Sequence, residues 1–563
     1  MRSLKTAGLS ALSGIALALS LPNEICPWGN PLIGLMALAP LYLALDRTKG
    51  WRGAFWTGAL FGALAHGLSS YWLWFFKDFR VWTLGSSVLA YAVVYGVLAM
   101  YLRGALRKGG FLRPLIFAAA WTVFEWSKSN GFLGYPWGLL PYSWNSVLPA
   151  IQIAEATGVY GLGFALAWVS AGLAEIVAPP EPAPKLEYCG PAPFLPKRAS
   201  GSARPWLEAG HLVSAALLMV GIMAYGYMAL GRYRAPRAVM TAAMVQQNLD
   251  SWEMQDGERR ALETSIALAR RALDSHQGPV DLVMFSETTL KRDYDFSQRY
   301  YATMPEAYSL AAFLDQYQVP LFTGAPEWFE VDGEWQASNS VILVAPTGEK
   351  MDSYGKMHPV PFAEAIPFWD VDAVRHFIQN VVGLQSGWTM GGRRTIFELD
   401  LHGGNSVRFG APICFEDAFS YLCRRFVRDG AEVLVNLTND SWSRTDSAEI
   451  QHFVAARFRS VELRRTLVRS TNGGVSAVVH PDGSVRDMMP LFEATSSVVD
   501  IPVYTGERTL YLILGDWFPA LLAFLLALLA AIVYLGCRKA PVEPCRGRWH
   551  AEEPCADSEP AEG

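Results

Sequence analysis

The chain has 563 residues, a formal net charge of -5, 51% hydrophobic residues and only 18% charged ones. Soluble globular chains carry about a quarter charged residues, and the mean hydropathy of +0.17 with 20 Trp points to contact with lipid. This balance excludes a disordered chain, a collagen-like fibre and a basic nucleic-acid-binding protein.

A bilayer core of about 30 Å takes about 20 apolar residues of helix to cross. Seven such stretches precede residue 232, near 6–21, 29–45, 53–76, 83–102, 112–127, 151–178 and 211–231. An eighth runs from about 510 to 536 through LLAFLLALLAAIVYLG. Eight spans bring both termini to one side. Loops on the cytoplasmic side are enriched in Lys and Arg. Alternate connections hold seventeen of them, from Arg2 and Lys5 through Arg47, Arg103 and Lys185 to Arg538, against Lys77, Arg80 and Lys128 in the opposite short loops. Both termini are therefore expected in the cytoplasm and the soluble block on the far face. Arg232, Arg234 and Arg237 lie on the wrong side of the seventh span, which long translocated blocks tolerate. Arg2 and Lys5 ahead of an apolar run also fit a cleaved leader. An uncleaved helix is favoured because six more spans follow before the soluble block.

The expected organisation is a seven-span membrane domain over 1–234, a soluble block over 235–505, a closing helix over 506–537 and a disordered tail over 538–563. A Pro-rich stretch near 179–204 reads as a flexible cytoplasmic loop. Of the seven Cys, only Cys414 and Cys423 fall in the soluble block, and no pair has metal-ligand spacing. No G-x-x-x-x-G-K-[ST] loop is present, so neither metal, nucleotide nor redox cofactor is expected.

In the soluble block, apolar runs of strand length alternate with amphipathic helices. Strands are predicted over 241–248, 281–287, 320–326, 338–346, 407–414 and 432–439, and helices over 257–275, 303–317, 416–429 and 447–463. The strands are apolar enough to be covered on both faces, so a sheet sandwich flanked by helices is expected. Polar reactive residues at the ends of such strands are where α/β enzymes keep their chemistry. Glu287 ends DLVMFSE, Lys356 sits in SYGKMHPVPFAE, and Cys414 ends VRFGAPIC just before a helix. A helix N-terminus and a nearby ammonium would stabilise a thiolate there, and a carboxylate beside it could take the thiol proton.

Taken together, strand-Glu, then Lys in Y-x-K-x-H-x-V-P-F-x-E, then strand-Cys-x-E resembles the carbon-nitrogen hydrolase (nitrilase) superfamily. With seven spans before this block and one after it, residues 6–536 resemble its apolipoprotein N-acyltransferase family. The resemblance implies an α-β-β-α sandwich joined to a multi-pass helical membrane domain. It implies Glu287 as general base, Lys356 as the oxyanion-stabilising residue and Cys414 as nucleophile. Glu364 matches a glutamate that supports the base, Glu416 an acidic residue close to the nucleophile, and Trp252 a tryptophan at the substrate entrance. Phe415 stands where some members have Tyr. It also implies a phospholipid acyl donor, phosphatidylethanolamine, a diacylated apolipoprotein acceptor, and a bacterial inner membrane with the catalytic block in the periplasm. Nothing in the sequence calls for an assembly, so a monomer is expected.

The same triad would serve a membrane-anchored amidase or nitrile hydrolase, for which seven preceding spans are more than an anchor needs. A transporter with an accessory domain would show more polar pairs in its spans than Glu125, Glu155 and His66. Of the remaining polar groups, His358 and His452 read as structural hydrogen-bonding residues. Asn439, Asp440, Ser441 and Trp442 read as a turn in the pocket wall, with Trp442 a candidate substrate contact. The loop GFLGYPWGLLPYSW (131–144) is expected either as a platform under the site or as an aromatic anchor in the interface.

Overall fold

The computed structural model describes residues 2–76, 80–177, 204–232, 235–250, 256–331, 333–361, 363–365, 369, 371–377, 379–380, 387–506 and 508–539. The loop expected near 179–204, the tail after Lys539 and Trp252 lie outside them, apart from the start of the helix Arg204–Leu230.

The N-terminal region is helical. Among the described residues, four helices are long and apolar enough to cross a membrane: Arg80–Arg107, Tyr160–Val177, Ala209–Leu230 and, after the soluble block, Trp517–Leu535. Other expected spans fold as shorter pieces, and proline sets several of the breaks. The stretch at 29–45 divides into Pro31–Met36 and Ala39–Arg47, with Pro31 and Pro40 each in a first helical turn, where a missing N–H costs nothing. The stretch at 151–178 begins with two single turns, and Gly158 at φ +65° separates them from Tyr160–Val177. Leu89, Val93 and Val97 of the Arg80–Lys108 helix and Phe524, Leu528 and Ile532 of the last helix remain exposed, the outward apolar faces that a lipid solvent would cover.

The soluble block is two six-stranded mixed sheets. The first holds β1 (Ala238–Gln246), β2 (Leu282–Met284), β3 (Leu321–Val331), β4 (Glu334–Val344) and β5 (Lys350–Gly355). The second holds β6 (Ile396–Asp400), β7 (Ser406–Gly410), β8 (Val433–Thr438), β9 (Thr466–Thr471), β10 (Ala477–Val479) and β11 (Val485–Arg486). The chain then returns to the first sheet, where β12 (Thr495–Val503) pairs antiparallel with β1. Strand order is β12-β1-β2-β3-β4-β5 in one sheet and β11-β10-β9-β8-β7-β6 in the other. In each, three strands run parallel, β1-β2-β3 and β7-β8-β9. These parallel strands are covered on both faces, which is why β2 and β8 read as near-continuous apolar runs. Each fully buried Val or Leu in them contributes about 1.5–3 kcal/mol.

Apolar runs did not announce β5, β6 and β9 to β12. KMDSYG and IFELD are short and polar, and TLVRST carries Arg469 in the middle of a buried strand. The helix expected over 303–317 starts only at Leu310, after Pro305 and a short 3-10 turn. That over 416–429 is a 3-10 turn, Cys414–Ala418, followed by the helix Ser420–Arg428.

The helix Asp446–Leu463 joins the two regions and is buried along nearly its whole length. It lies between the second sheet and the membrane helices, so its polar side chains find partners inside. Gln451 Nε2 donates to the carbonyls of Pro22 and Ser69 at 2.8 and 2.9 Å, and Trp72 Nε1 donates to Gln451 Oε1 at 3.3 Å. Glu462 Oε1 accepts from the backbone of Val159 at 3.1 Å. Just beyond the helix, Arg464 donates to Glu155 at 2.6 Å, an ion pair whose side chains are 2% and 8% exposed.

Candidate active site

Glu287, Lys356 and Cys414 come together from two sheets. Glu287 follows β2, Lys356 follows β5 and Cys414 follows β7, each just past the strand's C-terminal end. The backbone is forced at two of these corners. Thr288, next to Glu287, has φ +55°, and Cys414 itself has φ +52°, a region L residues seldom enter. Neighbouring groups hold the Cys414 turn in place. Asn436 Nδ2, on β8, donates to the carbonyls of Pro412 and Cys414 at 2.8 Å each, and Ile413 N–H donates to Glu416 Oε2 at 2.8 Å. The Glu287 turn is held by contact: a Cβ at Gly324 of β3 would lie 2.3 Å from Thr288 N and 2.7 Å from Glu287 Cα. Only glycine lets the two backbones approach so closely.

The polar atoms form one network. Glu287 Oε1 accepts from Asn339 Nδ2 at 2.8 Å and from Lys356 Nζ at 3.4 Å, while Oε2 accepts from the backbone N–H of Asn439 at 2.8 Å. Glu364 Oε1 accepts from Lys356 Nζ at 2.8 Å and from Asn339 Nδ2 at 3.0 Å, and Val360 N–H fixes its other oxygen at 2.7 Å. Lys356 is 2% exposed and Glu287 4%. Burial alone would lower the ammonium's pKa, but the carboxylates of Glu364 and Glu287 hold it well above the usual lysine value. The ammonium is charged, and two carboxylates use two of its three donors.

Cys414 keeps partial exposure. Burial pushes its thiol well above the usual value, and the charge of Glu287 adds to this and outweighs Lys356. The thiolate expected from a helix N-terminus and an ammonium is therefore not the resting state. The residue opens a 3-10 turn instead of a helix, and the carboxylates around Lys356 spend its charge. A thiol beside a carboxylate acts as a nucleophile when the carboxylate takes its proton during attack.

The other sequence-predicted residues take varied places. Glu416 is fully buried, and burial pushes its carboxyl up to about 7 against the donors around it. It accepts from the N–H of Met357 and of His358 at 2.8 Å each, from Tyr354 Oη at 3.1 Å and from Ile413 N–H, and so ties the Lys356 loop to the Cys414 turn. Phe415 covers the site from the membrane side, with Lys356 Nζ 5.7 Å from its ring centre and Trp137 stacked on it at 6.1 Å. Trp442 packs edge-on against Trp72 and Phe76, at 5.6 and 5.7 Å, in the contact between the soluble block and the helices. Asn439, expected only to shape a turn, supplies the second donor to Glu287. His358 bonds Tyr421 Oη at 2.6 Å and lies on Phe419, a structural place as expected. Cys423 is buried in the helix Ser420–Arg428.

The loop 131–144 is a floor to the site. Trp137 lies against Phe415 and Phe132 packs toward His358 at 6.4 Å, while Glu125 Oε1 accepts from Leu140 N–H at 2.7 Å. Beside Glu287 a small cleft opens, lined by Gln247, Thr288, Lys291, Asn439 and Asn472 among others. No group of three His, Cys, Asp or Glu side chains among the described residues could hold a metal. Sequence reasoning missed Asn339, whose amide bridges both carboxylates. An amide among the serines of SNSVILVAP, a strand otherwise apolar, was the available signal.

Residues 13–172 match the family model described as Apolipoprotein N-acyltransferase N-terminal domain, and residues 241–509 match the Carbon-nitrogen hydrolase model. Apolipoprotein N-acyltransferase 2 of Treponema denticola is 38% identical over 515 residues, covering 92% of this chain and 95% of that protein. The protein of the same name from Treponema pallidum is 38% identical over 544 residues, covering 92% and 93%. Apolipoprotein N-acyltransferase of Borreliella burgdorferi is 28% identical over 510 residues, covering 91% and 92%.

Proposed function

Because the chain belongs to the apolipoprotein N-acyltransferase family, we propose that it transfers an acyl chain from a membrane phospholipid, through a thioester on Cys414, to the N-terminal amine of a diacylglyceryl-cysteine. The observation that carries this reading is the network of Glu287, Lys356 and Glu364 beside Cys414, floored by a loop from the membrane helices.

In the first half, the thiol gives its proton to Glu287 as Sγ attacks the ester carbonyl carbon of the donor. Lys356 stabilises the oxyanion with its remaining donor. Collapse breaks the carbon-oxygen bond, the glycerol oxygen takes the proton from Glu287, and a lysophospholipid leaves. In the second half, the α-amine of the acceptor attacks the thioester. Glu287 takes the amine proton and returns it to Sγ, so that an amide and the free thiol are formed. Glu364 and Asn339 orient Glu287 and Lys356, and Glu416 holds the two loops in register.

Transfer prevails over hydrolysis because both substrates are anchored in one bilayer, which raises their effective concentration, while Phe415 and Trp137 cover the thioester side. Phosphatidylethanolamine is the donor we favour. The chain is a membrane protein; we read its apolar stretches as eight spans, and Lys and Arg placement supports both termini on the cytoplasmic side with the catalytic block opposite, while the family resemblance supports a bacterial inner membrane and nothing in the sequence calls for more than a monomer. Trp252, in the sequence just past β1, belongs to this reading as the entrance residue.

The test is incubation of the purified full-length protein with phosphatidylethanolamine vesicles and a diacylated lipopeptide. Lysophospholipid and N-acylated peptide in equal amounts are expected. Release of ammonia from amides, with no lysophospholipid, would replace the proposal with the amidase alternative.

A further inference from the structure

Four buried charged groups lie behind the site and take no part in the chemistry described above. Asp417 belongs to the Cys414 turn, Asp440 follows Asn439, His452 projects from the helix Asp446–Leu463, and Arg469 projects from β9. None is more than 6% exposed. They close into a ring of alternating charge. His452 Nε2 lies 2.9 Å from Asp417 Oδ1, and its Nδ1 lies 2.9 Å from each oxygen of Asp440. Arg469 Nη1 donates to the other oxygen of Asp417, and Nη2 donates to Asp440 Oδ2 at 3.2 Å. An ionised carboxylate only accepts, so both imidazole nitrogens donate and His452 is a cation. Two cations then balance two anions, and each carboxylate is held by both, the condition under which buried charges are tolerated.

The two carboxylates sit on the two turns whose separation matters for proton transfer. Asp417 shares the 3-10 turn of Cys414, and Asp440 is bonded in the chain to Asn439, whose N–H holds Glu287. We infer that, given the acyltransfer reading, the ring of Asp417, His452, Asp440 and Arg469 is a positioning element that sets the distance between nucleophile and base. It works through Cys414 and Asn439. Two sheets and a helix contribute to that distance, and a rigid closed ring fixes it where one flexible pair could not.

The groups facing His452 are Asp417, Asp440 and Arg469, with the Glu449 carboxyl on its own helix and the uncharged ring of Trp137 at 5.6 Å from the membrane side. Burial of Glu449 and the charge of Asp440 push that carboxyl well above the usual carboxylate range. For His452, burial works downward, but Asp440 and Asp417 raise it to about 9. The ring is thus closed at neutral pH and opens as pH rises through about 9. Cys414 and Lys356 both titrate above their usual values and lie further up the scale.

The test is a pre-steady-state burst with p-nitrophenyl octanoate, using full-length protein in detergent micelles. It reads acylation of Cys414 whatever the natural donor, so failure of the phospholipid assay leaves it standing. The wild-type acylation rate should fall about tenfold between about pH 8 and about pH 10, with the ester KM changed less than about twofold. His452→Gln should be at least about tenfold slow near pH 7 and lack that limb, and Asp440→Asn should move the limb to lower pH. A wild-type rate that stays level through about pH 9 overturns the inference, as does His452→Gln with the full rate at neutral pH. If neither variant folds, the wild-type limb alone decides.

Discussion

Replacing Asn339 with leucine removes the amide that donates to Glu287 Oε1 at 2.8 Å and to Glu364 Oε1 at 3.0 Å, while nearly preserving shape. Glu287 keeps the Asn439 N–H and the longer contact to Lys356, and Glu364 keeps Lys356 and the Val360 N–H. The base is still held, but by fewer donors, and Lys356 is drawn further toward two carboxylates that have lost a partner. A hydrogen bond to a charged group contributes about 1.5–3 kcal/mol net. If that energy is what keeps Glu287 in the geometry for proton transfer, and the variant must spend it to reach the transition state, acylation slows about ten- to a hundredfold. Asn339→Asp should be slower still, because a third carboxylate would stand against two others within hydrogen-bond distance. The assay is single-turnover release of lysophospholipid from vesicles, with thermal unfolding measured alongside. A leucine variant with wild-type Tm and a rate within about threefold of wild type would refute the bridging role.

Other outcomes follow from the same structure. Cys414→Ala should leave no thioester-linked acyl chain by mass spectrometry, whereas Cys423→Ala, a buried thiol outside the network, should acylate normally; a thioester in the first variant would overturn the nucleophile. Gly324→Ala should displace the Glu287 turn and cost about 1–3 kcal/mol of stability, visible as lost activity with a lowered Tm. Glu155→Leu removes the carboxylate paired with the buried Arg464 guanidinium, leaving it the neutral acceptors Gln152 and Pro481, and should destabilise by about 3–5 kcal/mol, much of it restored by adding Arg464→Met, so equal losses in single and double variants would count against a coupled pair. His452 is raised above its unfolded value, so its contribution to stability is complete below about pH 6.5 and fades as pH rises through about 9. Wild-type Tm should decline over that window, and the Tm of His452→Gln should be flat there.

Glu287 and Cys414 were legible because each ends an apolar run, where a reactive side chain is conspicuous, whereas Lys356 follows the polar β5 and was legible only through its Y-x-K-x-H-x-V-P-F-x-E segment. What positions the triad was not. Asn339 and Asn436 sit inside strands that read as apolar, and their roles depend on carbonyls and carboxylates far away in the chain. Arg469 and Asp417 stand out in no motif, and their burial comes only from the second sheet and the helix Asp446–Leu463 closing over them. That helix also shows why periodicity alone misleads: it is buried along nearly its whole length because membrane helices cover the face that solvent would otherwise take. The membrane region differed for a simpler reason. Hydropathy marks apolar stretches but not where Pro31, Pro40 or Gly158 breaks them.

The pairing of β1 with β12 bears on biosynthesis. The first strand of the soluble block to be made waits, edge open, until nearly the whole block has emerged, and the closing helix at Trp517 follows soon after β12. Glu287 reaches its final setting earlier, once Asn339 of β4 and Asn439 after β8 are in place. A growing chain that has passed Cys414 but not Asn439 therefore carries the nucleophile without the second donor to its base. Pairing of β12 with β1 closes the edge of the first sheet only after the partners of Glu287 have been made, so the site is assembled before the block's last strand is added.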